Sequence, residues 1–214
     1  MAVLSSEGAS RFCHTGLRLF RLLYEAALFL RSSPVALSSY QEHADSIHSA
    51  SGESMIEKIR ENDIPDCVRL IRESFATVAE QFGITAENAP RFTAFATTEE
   101  RLLRQFTDEK RPMYAFRNRG LIVGYYSLFL KDPGKCELNN LCVSPAYRHG
   151  GRGEALLLHA FREARELGCS TMSIGIVEEN SLLRVWYERF GFVHSGTKKF
   201  DFFPFTCGYM ERTL

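Results

Sequence analysis

The strongest constraint in this 214-residue sequence is a glycine-rich junction between a β-like segment and an amphipathic helix. Residues 136–143 have strand character, and a helical pattern begins near Gly151 and continues for several turns. The junction contains Arg148, followed by Gly150, Gly151 and Gly153. Glycine lets the backbone approach a ligand closely, and the first turn of a helix offers unpaired N–H groups with partial positive charge. The junction therefore predicts a cradle for phosphate oxygens, to which Arg148 adds a permanent cation.

Two familiar phosphate-binding motifs do not fit this junction. A P-loop requires Gly-Lys-Ser/Thr after its first glycines, and that tripeptide is absent here. A dinucleotide fingerprint requires a third small residue where this sequence has Leu156. The pattern that matches is Arg/Gln-x-x-Gly-x-Gly/Ala, present as Arg148-His149-Gly150-Gly151-Arg152-Gly153.

Composition restricts the classes of function. The 26 Lys and Arg residues balance the 26 Asp and Glu residues, so the chain lacks the basic character of a nucleic-acid-binding protein, and we expect no nucleic-acid partner. The cysteines form no CxxC pair and have no histidine cluster beside them, so we expect reduced, buried thiols and no metal site. The six cysteines are Cys13, Cys67, Cys136, Cys142, Cys169 and Cys207.

Residues 1–53 differ in composition from the rest of the chain, and we predict an N-terminal extension before a domain of residues 54–214. The apolar run 17–30 contains charged residues and is shorter than the ~20 residues that span a bilayer, so we expect no stable membrane insertion. A variable extension, an organellar leader rich in Arg and Ser, and a secretory signal all remain open. We expect a cytoplasmic protein, with organellar import through residues 1–53 as the alternative.

Hydrophobic periodicity from residue 55 onward predicts the order β-α-α-β-β-β-α-β-α-β-β, typical of an α/β (α+β) fold with a mostly antiparallel sheet. We expect Asp63 to begin the first helix, and Thr97 with Glu100 to form a capping box for the second. His159 falls on the charged side of the helix after the glycines, so we expect it at the surface. The predicted strands are 55–60, 112–116, 121–130, 136–143, 170–177, 192–197 and 206–213.

Three more segments extend the match around the junction. They are Leu-Cys-Val-Ser-Pro-Ala-Tyr-Arg at 141–148, the strand 170–177, and Asn180 followed by Trp-Tyr-Glu-Arg-Phe-Gly-Phe at 186–192. Together with the junction, these segments resemble the GNAT superfamily of N-acetyltransferases over residues 55–214. The resemblance implies a mixed, mostly antiparallel sheet with splayed central strands, flanked by helices. It also implies acetyl-CoA as the co-substrate and no metal.

The resemblance assigns residues to the cofactor. It places the pyrophosphate on the backbone N–H groups of residues 148–153 and the pantetheine arm along Leu141, Cys142 and Val143. Asn180 matches a position that contacts the pantetheine or steadies a bulged strand, with a helix cap as the alternative. The residues assigned to the cofactor are Leu141, Cys142, Val143, Arg148, His149, Gly150, Gly151, Arg152, Gly153 and Asn180.

The same resemblance suggests two catalytic residues. Glu137 is the candidate base that takes the proton of the amine, and in a regular strand it would share a face with Asn139, Leu141 and Val143. A bulge would change that facing, and a solvent-facing Glu137 is the alternative. Tyr187 matches a tyrosine that serves as general acid towards the departing thiolate, with simple packing as the alternative.

These assignments predict direct transfer of an acetyl group from acetyl-CoA to a primary amine of a small molecule or a peptide. The alternative is a catalytically idle acyl-CoA-binding regulatory domain. Sequence leaves the identity of the amine and the formation of a homodimer open. The irregular segment 83–96 and the aromatic residues near the last hairpin are candidate walls of the acceptor pocket.

Overall fold

The computed structural model describes residues 54–214. The predicted extension of residues 1–53 and its targeting role lie outside the described residues. The strands of the described part are β1 (Ser54–Lys58), β2 (Met113–Asn118), β3 (Leu121–Asp132), β4 (Lys135–Val143), β5 (Thr171–Val177), β6 (Val193–Lys199) and β7 (Thr206–Thr213). The α-helices of the same part are α1 (Ile64–Gln81), α2 (Thr93–Ala96), α3 (Glu99–Thr107), α4 (Arg152–Glu166) and α5 (Ser181–Arg189).

The strands form one mixed sheet in the order β1-β2-β3-β4-β5-β7-β6. Neighbouring strands are antiparallel except β4 and β5, which are parallel and are connected through α4. A parallel pair requires such a crossover because the chain must return to the same end of the sheet. The topology confirms the predicted mixed, mostly antiparallel sheet flanked by helices.

The two faces of the sheet are buried by different helices. One core cluster joins α4 to strand residues such as Tyr126, Leu138 and Met172, and it includes Tyr187 of α5. A second cluster joins α1 and Leu102 of α3 to residues of β2, β3 and β4 on the opposite face. The helix that follows the glycines and the helix that follows β1 therefore lie on opposite sides of the sheet.

The start of α3 differs from the prediction by one residue. Thr98, with an extended backbone, accepts a hydrogen bond from the N–H of Arg101 at 3.2 Å, so Thr98 and not Thr97 caps this helix. The Thr97 hydroxyl instead donates to the carbonyl of Thr93 at 2.7 Å, at the end of α2. Two adjacent threonines offer the same chemistry, and the unpredicted short helix α2 uses the first of them.

The expectation that His159 lies at the surface is wrong. His159 lies on the buried face of α4, and its Nδ1 lies 2.6 Å from the hydroxyl of Tyr126. Tyr114 also packs against the imidazole, with ring centroids 5.0 Å apart. Tyr114 and Tyr126 have long side chains that reach further around α4 than aliphatic residues would. They therefore bury a wider part of this helix, including His159.

Residues 54–214 contain neither a candidate membrane span nor a candidate metal site. No helix there is both long and apolar enough to cross a membrane. No group of three or more His, Cys, Asp or Glu side chains in this part of the chain is arranged to hold a metal ion.

The proposed boundary of the domain is testable with two truncated chains. Ser54 already pairs with Asn118 of β2, and Ile56 packs on the core under α4, so a chain of residues 54–214 should unfold in one cooperative transition. A chain of residues 61–214 lacks β1, exposes the edge of β2 and should unfold at lower urea concentration. Circular dichroism during urea unfolding measures both, and a non-cooperative transition for residues 54–214 would contradict the boundary.

Candidate active site

The candidate site begins where the central strands separate. β4 and β5 pair at only three positions, from Lys135 with Thr171 to Glu137 with Ser173. Beyond these pairs β4 continues to Val143 and β5 continues to Val177 without pairing to each other. The result is a slot in the middle of the sheet, lined by backbone groups that are available for hydrogen bonds with a ligand.

A bulge in β4 changes the facing of its side chains inside this slot. Asn140 has a left-handed backbone with φ of 53°, and the register with β3 moves from Ser127–Asn139 to Tyr125–Cys142 across it. The extra residue turns the following side chains over. Leu141 and Val143 therefore pack against the core under α4, while Cys142 joins the opposite core under α1. The expectation for a regular strand, in which Glu137 shares a face with Leu141 and Val143, is wrong for this reason.

The glycine-rich junction lies at the open end of the slot and has the backbone geometry of an anion cradle. A short 3-10 turn, Pro145–Tyr147, follows β4, and Gly151 precedes the first turn of α4. Gly151 and His149 both have left-handed backbones, with φ of 74° and 64°. Such alternation turns successive N–H groups towards one point, the arrangement that binds anions in many phosphate sites. No side chain caps α4, so its first N–H groups remain available.

Arg148 makes contacts that its sequence position did not indicate. Its Nε donates to the carbonyl of Val143 at 3.2 Å. Its Nη2 donates to the carbonyl of Ser74 at 3.1 Å and to the hydroxyl of Thr77 at 3.0 Å. The guanidinium therefore ties the end of β4 and the cradle to α1. Within the described residues Nη1 has no hydrogen-bond partner, so Arg148 retains a donor for an anion.

Arg152, at the start of α4, supports the turn from the other side. Its Nη1 donates to the carbonyl of Tyr147 at 3.3 Å, and its guanidinium lies over the rings of Tyr147 and Phe116. Its buried Nε has no hydrogen-bond partner within the described residues. The Arg152 side chain therefore braces the cradle, while its backbone N–H belongs to the set that faces the anion site.

Tyr187 belongs to the core under α4 and Cys142 to the core under α1, and the two groups influence each other electrostatically. Tyr187 is buried, packs against Trp186 and Phe192, and has its pKa raised by burial and by the neighbouring Cys142. Burial likewise raises the pKa of Cys142 to about 12. Both groups are therefore protonated at neutral pH. Tyr187 can donate a proton or a hydrogen bond, and Cys142 is not a thiolate nucleophile.

Asn180 acts as a helix cap. Its Oδ1 accepts a hydrogen bond from the N–H of Leu183 at 3.1 Å, which satisfies one unpaired donor at the start of α5. The side-chain Nδ2 is not used by this cap, so the amide has donors for a second partner. The cap is thus compatible with the predicted pantetheine contact, which stays a prediction.

Glu137 occupies the last paired position before β4 and β5 separate, which places it at the closed end of the slot. Its carboxylate forms an ion pair with Lys131, and its side chain is 28% exposed. The side chain points away from α4, towards the same face as α1 and α3. The carboxylate is therefore accessible from that face and is held by a cation.

Three features of this site were not located by sequence reasoning. The bulge at Asn140 carries one weak sequence signal, the Asn-Asn pair within a strand, since asparagine tolerates a left-handed backbone better than most residues. Ser74 and Thr77, the partners of Arg148, lie on α1 and no local pattern connects them to the junction. A small pocket beside Asn140, lined by side chains from α3 and from the chain before it, was also not expected.

Comparisons with known proteins agree with this geometry. A family model described as the acetyltransferase (GNAT) family matches residues 80–192. An uncharacterised N-acetyltransferase of Mycobacterium bovis is 27% identical over 117 residues, which cover 55% of this chain and 75% of that protein. An amino-acid acetyltransferase of Pseudomonas putida is 33% identical over 101 residues, which cover 47% of this chain and 21% of that protein.

A solved structure shares the fold. The PaiA N-acetyltransferase of Thermoplasma acidophilum, in complex with coenzyme A, superposes with a TM-score of 0.65 at 21% identity. The superposition covers 75% of this chain and 99% of that one. The likeness extends over nearly the whole of the solved chain, and at this identity it concerns the arrangement of helices and strands.

Replacement of Arg148 tests the link between the cradle and α1. Arg148→Ala removes three hydrogen bonds of a charged donor and should lower the free energy of unfolding by about 1–2 kcal/mol. Urea unfolding measures the change. Arg72→Ala, on the exposed side of α1, is the matched control and should change stability by less than about 0.5 kcal/mol. Equal stability of the two variants would contradict a bracing role for Arg148.

Proposed function

The chain belongs to the GNAT family of acetyltransferases, and from that premise we propose that it moves the acetyl group of acetyl-CoA directly to a primary amine of a small molecule or a peptide. Family membership agrees with the resemblance seen in the sequence. The observation that carries the proposal is the separation of β4 from β5, with the anion cradle at the open end and Glu137 at the closed end. A slot of this shape has room for an extended arm between an anionic group and a reacting centre.

The residues present fit acetyl-CoA. The uncapped start of α4 and the left-handed residues before it offer N–H groups to the pyrophosphate, and the remaining donor of Arg148 adds charge. Residues 141–143 do not pair with β5, and their edge along the slot suits the amide groups of pantetheine, while the Val143 carbonyl is already bonded to Arg148. When bound there, acetyl-CoA supplies an acetyl group activated as a thioester. The binding residues in the proposal are those that the sequence predicts.

Glu137 is the proposed base. An amine with pKa near ~10 is mostly protonated at neutral pH, so a group beside it must accept a proton before attack. The Glu137 carboxylate lies on the face of the sheet opposite the α4 core and is accessible there. The ion pair with Lys131 holds the carboxylate at this position.

Tyr187 is the proposed acid. A departing thiolate with pKa near ~8.5 leaves more readily when a hydrogen bond or a proton is supplied to its sulfur. The raised pKa keeps the phenol of Tyr187 protonated over the whole range in which an amine acts as nucleophile. The electrostatic influence of Cys142 on Tyr187 supports a place for the hydroxyl near the strand along which the pantetheine arm is proposed to run. These features favour turnover over the alternative, an idle acyl-CoA-binding domain.

Amine-dependent release of the CoA thiol tests the function. At about 100 times its Kd, acetyl-CoA should stabilise the protein by about 2.7 kcal/mol, seen as a higher Tm. A panel of primary amines should then include acceptors that release free thiol, with an N-acetylated product detected by mass spectrometry. A higher Tm without thiol release from any amine would support the idle domain, and no change in Tm would contradict the proposed binding.

Two conservative variants test the catalytic roles together. Glu137→Gln should lower kcat by about 100-fold or more, the usual range for loss of a general base. Tyr187→Phe should lower kcat by about tenfold or more, while the KM for acetyl-CoA changes little. Because the pKa of Tyr187 is raised, the wild-type pH profile should show no alkaline fall below about pH 10. Tyr114→Phe, which removes a buried hydroxyl bonded to Glu163, is the control, and an equal loss of kcat there would contradict the assigned roles.

A further inference from the structure

A small pocket lies beside the bulge of β4, on the face of the sheet that α1 and α3 cover. It has a volume of about 40 Å³. Its walls come from the chain before α2, from α2 and α3, and from β4. The polar side chains that line it are Arg91, Thr93, Thr97, Arg101, Gln105 and Asn140.

The pocket is strongly cationic. Arg91 and Arg101 both line it, and no carboxylate does. Within the described residues neither arginine forms an ion pair with an acid. The neighbouring Glu100 folds back to a hydrogen bond with Thr98, the residue that caps α3. Two unneutralised guanidinium groups at one concave site favour an anionic ligand.

Gln105 provides an independent indication of a ligand. Its side chain is only 7% exposed, and within residues 54–214 its amide has no hydrogen-bond partner. Gln105 lines the pocket, so its amide can be reached by a group bound there. A ligand oxygen in the pocket would receive a hydrogen bond from the Gln105 amide and charge-assisted ones from the arginines.

The size of the pocket limits the ligand group. A cavity needs about 10–15 Å³ of this kind of volume for each water-sized group, so the pocket has room for about three. A carboxylate has three heavy atoms. The pocket therefore has room for a small group such as one carboxylate.

The pocket is close to the proposed reaction centre. Asn140 lines it and immediately precedes Leu141, the first residue of the proposed pantetheine track. Arg91 also interacts with the loop between β6 and β7. Its guanidinium lies 5.2 Å from the centroid of the Phe202 ring in that loop. A carboxylate held here would place the rest of a small molecule at the slot.

We propose that this pocket binds the carboxylate of the acceptor, so that the amines acetylated by this protein carry a carboxylate, with free α-amino acids as the smallest members of the class. The inference rests on the proposed function and names its substrate class. Acceptors with additional positive charge, such as diamines, are disfavoured because they would approach two guanidinium groups without compensation.

The test compares L-amino acids with the matching L-amino acid amides as acceptors for the full chain with acetyl-CoA. Each pair has the same side chain and amine, and the amide lacks only the carboxylate. A charge-assisted contact is worth about tenfold or more, so kcat/KM should be higher for the acids by at least that factor. The amides have a lower amine pKa, about 8, so a larger fraction of their amine is unprotonated at neutral pH, which would favour them if the pocket played no part.

Variants of α3 connect the preference to the pocket. Arg101→Gln should reduce the preference for the acids by about tenfold, and Arg101→Lys should restore part of it. Arg104→Gln is the matched control, because Arg104 lies on the same helix, is exposed and does not line the pocket. An unchanged preference in Arg101→Gln, or an equal loss in Arg104→Gln, would overturn the inference.

A binding measurement separates this inference from the proposed function. Calorimetric titration of the CoA-saturated protein with each acid and its amide requires no turnover. Preferential binding of the acids that depends on Arg101 would support the pocket even if no amine were acetylated, in which case the proposed function alone would fail. Acetylation of amines without preference for a carboxylate would overturn the inference and leave the function intact.

Peptide acceptors form a final arm of the test. Peptide amides that begin with Asp or Glu carry their carboxylate on the first side chain, whereas a free amino acid carries it on the α-carbon. Preference for the free amino acids assigns the pocket to an α-carboxylate, and preference for the acidic peptides assigns it to a side-chain carboxylate. Equal rates for acidic peptides and for the same peptides with Asn or Gln, together with no preference among free amino acids, would contradict the proposal.

Discussion

The separation of β4 from β5 after three residue pairs is the constraint on which the rest of the structure depends. A continuous sheet would satisfy the backbone of residues 138–143 on both sides and leave no place for a ligand. The parallel connection through α4 brings the start of that helix to the open end of the gap. The anion cradle and the slot are thus two consequences of one crossover between parallel strands that do not stay together.

The bulge at Asn140 divides the slot between donor and acceptor. It turns Leu141 and Val143 towards the α4 core and leaves Glu137 and Cys142 on the opposite face. The cofactor therefore has its proposed place along the strand and at α4, while the acceptor is proposed to approach from the side of α1 and α3. Arg148 connects the two sides, because its guanidinium binds both the end of β4 and α1.

Much of this arrangement could be predicted from sequence where the signal is local. Apolar periodicity and the flanking glycines located α4, and alternation located β7, because such patterns repeat over several residues. The position of the bulge could not be predicted, since one inserted residue has no period, and the facing expected of a regular strand does not hold for that reason. The partners of Arg148 on α1 lie more than seventy positions away. The burial of His159 depends on tyrosines from two other strands.

Hydrogen–deuterium exchange of backbone amides, with and without acetyl-CoA, tests the central claim most directly. The account predicts that acetyl-CoA slows exchange at residues 149–153 and along residues 141–143, where N–H groups are available for the pyrophosphate and the pantetheine. Exchange on β1 and β6, at the edges of the sheet, should remain unchanged. Slower exchange confined to other elements, with no change at the start of α4 or in the slot, would contradict the account.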